Sequence, residues 1–78
     1  MEIKQFRWEH IGKQRYYKVI LSRDLLGDWI VTKAWGHLHN ASGRIVHLPF
    51  SSYKDALENI QKISKTRKQR GYHLLTLV

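Results

Sequence analysis

Apolar and polar positions alternate through the first fifty residues, and then the period changes. "IKQFRWEH" alternates loosely around Ile3, Phe6 and Trp8 and ends at Gly12-Lys13. "RYYKVILS" is aromatic and β-branched, with Arg15, Tyr17, Val19 and Leu21 on one face. "RDLLGD" turns the chain, with its corner at Gly27-Asp28. "DWIVTKAW" reads as a third strand, with Trp29, Val31, Lys33 and Trp35 on one side and Ile30, Thr32 and Ala34 on the other. After the turn "HNASG", "RIVHLPF" is a fourth strand that closes near Pro49, which has no N–H for a ladder.

From Ser52 the spacing becomes helical. Ser52 precedes Asp55 by three residues, a capping-box-like start. Tyr53, Ala56, Leu57, Ile60, Ile63 and Ser64 follow one stripe, while Lys54, Glu58, Gln61, Lys62, Lys65 and Lys68 fall elsewhere. Gly71 is the stop signal, and "YHLLTLV" returns as a last short strand. Short connections favour consecutive antiparallel hairpins. The expected fold is α+β: a small antiparallel sheet of four to five strands with one amphipathic helix packed on one face. No linker or repeat divides the chain, so residues 1–78 are expected to form a single domain.

At 78 residues the core is small, with roughly 60% of the unfolded surface buried on folding. Such a core disfavours a deep enzyme pocket and leaves open a shallow site or one shared between subunits. The absence of cysteine excludes disulfides, thiolate metal sites and thiol catalysis. The charged start "MEIKQFRWEH" does not read as a signal peptide, and no apolar run approaches a membrane span. A cytoplasmic protein without membrane contact is expected. Fourteen Lys and Arg against six Asp and Glu give a net charge of +8. That excess predicts attraction to phosphate; the alternative is charge used only for solubility.

His37 and His39 alternate, and His47 follows on the next strand. Three imidazoles suit zinc or copper, but no Asp, Glu or Cys joins them locally, so no metal site and no cofactor are expected. Histidines among cations also suggest a metal-free ribonuclease, which needs two imidazoles facing one phosphate. No nucleophile elbow, phosphate-cradling glycine loop or carboxylate pair is present. The densest basic stretch is Lys62, Lys65, Arg67, Lys68 and Arg70; on a helix Lys65 and Lys68 share a face, with Lys62 one turn earlier. It is either a phosphate surface or a solvated helix end that complements the dipole. Trp35 stands where a strand meets a turn, beside Gly36, which permits close approach. It either packs in the core or stacks on a base or sugar.

"RYYKVIL", "GDWIVTKAWGHL", "SGRIVHLPF" and "SSYKDALENIQKISKTRKQRGY", in that order, resemble the WGR domain across roughly residues 15–72. Such domains occur in several poly(ADP-ribose) polymerases and in small bacterial proteins. The resemblance implies a non-catalytic module that binds DNA at strand ends or nicks, with Trp35 against a sugar. One position departs: His37 stands where the family has Arg. Histidine is shorter and lacks the bidentate fork, and Arg44 across the turn is the candidate replacement cation.

The expected function is therefore nucleic-acid binding with low sequence preference, to DNA or else RNA. Its expected contacts are Lys33, Trp35, Gly36, His37, Arg44, Lys62, Lys65, Lys68 and Tyr72. The alternatives are a protein-interaction or adaptor domain without nucleic-acid binding, and a histidine-dependent nuclease. Oligomeric state is left open.

Overall fold

The computed structural model describes residues 3–40 and 43–77. Residues 41 and 42 of the "HNASG" turn and the final Val78 lie outside the described residues. The order of elements is β1 (Lys4–His10), β2 (Arg15–Arg23), β3 (Trp29–His37), β4 (Gly43–Phe50), α1 (Tyr53–Gln69) and β5 (His73–Leu77). The sheet order is β4-β3-β2-β1-β5, with every neighbour antiparallel. The first four strands form a meander of consecutive hairpins. The helix then carries the chain back so that β5 pairs with β1, across a register shift between Arg7 and Trp8. Pro49 lies in β4, an edge strand, where a missing N–H leaves no interior ladder bond unmade.

Register assigns the two faces. Trp8 pairs with Tyr17, Tyr17 with Trp35, and Val31 with Leu21 and Leu48. These residues share the face covered by α1. Trp8, Val19, Leu21, Val31, Ala56 and Ile60 are buried there and form the core. Ala56 lets the helix backbone approach the sheet, because a larger side chain at a fully buried position would hold it off. The opposite face, with Tyr16, Ile20, Ile30 and Ile45, carries no layer of its own.

Both helix ends are chemically defined. The Ser52 hydroxyl accepts from the Asp55 N–H at 3.1 Å, and Asp55 lies in the first turn. At the other end Gly71 has φ +84, Tyr72 N–H donates to Arg67 C=O at 2.9 Å, and Gly71 N–H donates to Lys68 C=O at 3.1 Å. That is a Schellman closure. It turns the chain sharply and sets Tyr72 directly beside Arg67. Among the described residues, no helix is long and apolar enough to cross a membrane.

Leu21→Ala is expected to destabilise the domain by about 2–5 kcal/mol, since the site is fully enclosed. Ser52→Ala is expected to cost about 1 kcal/mol. Urea denaturation checks both, and a Leu21→Ala loss below that of Ser52→Ala would contradict the core assignment.

Candidate nucleic-acid interface

One end of the sheet brings together three segments: the β1–β2 turn with the start of β2, the end of β3 and the C-terminal end of α1. They enclose a groove of about 710 Å³ lined by Lys13, Arg15, Tyr16, Tyr17, Trp35, Gly36, His37, Arg67, Arg70 and Tyr72. Leu38, directly after β3, is tied to the β1–β2 turn, its N–H donating to Gln14 C=O at 2.8 Å. Gln14 itself holds a left-handed φ of 53, an uncommon conformation for a side-chain-bearing residue, supported by its own N–H bond to Ile11 C=O. In the same turn, Lys13 N–H donates to His10 Nδ1 at 3.1 Å. Arg15 and His37 face each other in register at this end of the sheet.

The floor and one wall are an aromatic and cationic column. Trp35 stacks on Tyr17 with ring centroids 5.8 Å apart and planes 11° from parallel. The Arg67 guanidinium lies over Tyr17 at 4.3 Å and beside Tyr72 at 5.0 Å. His10 meets Tyr72 edge-on at 5.4 Å. Buried Trp8 supports Tyr17 edge-on from the core side. Arg67 Nε is buried with no hydrogen-bond partner, so the ring contacts must offset part of its desolvation. Tyr17 titrates above its ordinary value, chiefly because burial disfavours the phenolate; Arg67 lowers it and Tyr72 raises it.

Lys13, Arg15, Arg67 and Arg70 place four cationic side chains around the groove, and among the described residues no Asp or Glu lines it. Their mutual repulsion favours any anion that enters. A half-buried indole beside such a cluster suits a phosphate attached to a flat or ring-shaped group.

The structure brings together four of the residues expected from sequence: Trp35, Gly36, His37 and Tyr72 line the groove. Lys62 lines a smaller depression of about 170 Å³, which shares Tyr17 and Arg67 with it. Lys65 and Lys68 are exposed and line neither depression. Lys33, between Val19 and Val46, and Arg44, opposite Trp35, also lie outside both. Sequence reasoning did not single out Lys13, Arg15 or Tyr17; it placed Arg67 and Arg70 in the basic stretch read as a phosphate surface or a solvated helix end, but not among the expected contacts. The signal for Arg67 was present: Ala56, Ile60, Ile63 and Arg67 are spaced four, three and four apart, so Arg67 continues the sheet-facing stripe.

The histidines do not converge. Register puts His47 on the uncovered face, its Nδ1 2.9 Å from the Thr32 hydroxyl, while His37 lies on the helix face. Among the described residues, no group of three or more His, Cys, Asp or Glu is placed to hold a metal. His37 is the one imidazole among them that lines the groove.

The Tyr17 shift has a signed consequence. Its folded value lies above its unfolded one, so the folded state holds this proton more tightly. Stability contributed by Tyr17 is present below about pH 10 and is lost as pH rises through the folded value. Tyr17→Phe should flatten the alkaline fall of the thermal midpoint above about pH 10. An unchanged profile would mean that burial does not favour the neutral phenol.

A comparison with curated proteins and one with solved structures returned no significant match. The family model for the WGR domain matches residues 3–76, nearly the whole chain, from β1 through α1 and into β5. The chain belongs to the WGR domain family, in general a family of nucleic-acid-binding modules.

Proposed function

We propose that this domain binds nucleic acid non-catalytically through the groove, with DNA strand ends or nicks as its preferred target. The observation that carries the reading is the meeting of a stacked Trp35–Tyr17 pair with four cationic side chains and, among the described residues, no carboxylate in one groove. Phosphates would be held by Lys13, Arg15, Arg67 and Arg70. Trp35 would pack a sugar or base on the ring face that Tyr17 does not occupy. A platform with one open face takes one nucleotide, which suits a terminus better than a continuous strand. Backbone contacts carry no base information, so sequence preference is expected to be low. Acid–base cleavage needs a second imidazole across the groove from His37; binding is the whole of the proposed chemistry.

Fluorescence anisotropy with a 5′-phosphorylated duplex, an intact circular competitor and single-stranded RNA tests the reading across a salt series. Four neutralised phosphates predict a slope of log affinity on log salt of about −3 to −4. A slope near zero removes the electrostatic argument. Arg67→Met, which keeps an unbranched apolar stem without the charge, is expected to weaken binding by about 10- to 100-fold. Trp35→Ala, confirmed folded by circular dichroism, is expected to lose about tenfold or more. Arg44→Ala should matter less than either, because Arg44 lies outside the groove. His37→Arg restores the family residue at the groove wall and should tighten binding, with a slope steeper by about 0.9. Equal competition by closed circular DNA would refute the preference for ends.

A further inference from the structure

The end of the sheet remote from the groove carries a second feature. In the β2–β3 loop Leu25 is 97% exposed and Leu26 is 89% exposed. Two adjacent leucines left in water oppose the burial that drives folding, and a domain with so small a core gains most by burying them. A loose loop would fold them back against apolar surface. This loop is held out by its hydrogen bonds. The Asp24 carboxylate accepts from Leu26 N–H and Asp28 N–H, both at 2.9 Å. Asp24 N–H donates to Asp28 C=O, and Gly27 N–H to Asp24 C=O. Gly27 has φ +91, which a side chain would strain. Arg23 donates from Nε to Gly27 C=O and lies over the Trp29 ring, fixing the base of the loop.

We infer that Leu25 and Leu26 form a preorganised knob that docks into an apolar cleft of a partner protein. Preorganisation favours docking, because the loop loses little conformational freedom when it binds. The charge distribution decides the class of partner. The groove end has four cations and, among the described residues, no lining acid. At the loop end, Asp24, Asp28 and Asp55 of the first helical turn offset Lys4, Arg23 and Lys54. A polyanion, including an anionic membrane, draws the groove end towards itself and turns the knob away. An uncharged cleft in a protein is the surface that this locally balanced tip fits. Arg15 and Arg23 end the same strand eight residues apart, so knob and groove are separated by roughly 26 Å. Both can be occupied at once, which makes the domain a bridge between a nucleic acid and a protein.

The test is site-specific photocross-linking in the native host with Leu25→p-benzoylphenylalanine in the full chain, and Gln61→p-benzoylphenylalanine on the exposed helix surface as the control. The expected result is one protein cross-linked from position 25 and not from position 61. Once identified and purified, that protein should bind the unmodified domain. It should bind Leu25→Ser/Leu26→Ser about 100-fold more weakly, with the thermal midpoint unchanged. Four results overturn the inference: no position-specific product, a product containing a second copy of this chain, a purified partner indifferent to the double substitution, or binding to equimolar phosphatidylcholine–phosphatidylserine vesicles that the double substitution abolishes.

Discussion

The position of the Arg67 guanidinium between Tyr17 and Tyr72 is the contact on which the groove depends. It joins the end of α1 to the end of β2, two elements that share no backbone hydrogen bond. Arginine suits the place because its plane lies flat on a ring while its charge persists at any ordinary pH; a lysine ammonium has no such plane. The Schellman closure after the helix supplies the other half, since Tyr72 N–H bonds to the carbonyl of Arg67 itself. One position therefore supplies both a carbonyl to the helix exit that Gly71 makes possible and a permanent charge beside the second ring.

That contact also links the core to the surface. Trp8, buried under the helix, meets Tyr17 edge-on, and Tyr17 in turn contacts both Trp35 and Arg67. The indole at the rim is thus braced by the packed interior. Among the described residues, the groove is an open depression at one rim of the sheet. The two rims differ in character. One gathers cations around an aromatic floor, and the other presents leucines on a hydrogen-bonded loop with balanced charge.

The alternation through β1 to β4, the Ser52 cap, the helical stripe and the Gly71 stop were all legible because each is a local signal, set by side-chain period or by one residue's backbone preference. Trp35, Gly36, His37 and Tyr72 were legible for the same reason, each at a strand end or a helix stop. The cations were harder. Lys62, Lys65 and Lys68 drew attention by density, yet density along a helix says nothing of direction. Arg67 interrupts the same run but falls on the sheet-facing stripe. Lys13 and Arg15, from a different hairpin, reach the same groove only because the strands pair as they do. The histidines show the converse: His37 and His47 are near in sequence order along the hairpin, and the parity of their registers sends them to opposite faces.

By itself, then, the sequence determined the elements, their faces, the α+β class and the excess of positive charge, since these follow from period, propensity and composition. Tertiary structure decided which charges meet. A groove between a turn, two strand ends and a helix end depends on the register of the strands and the angle at which the helix leaves the sheet. Those are long-range quantities, fixed only when Val19, Leu21, Val31, Ala56 and Ile60 pack against one another.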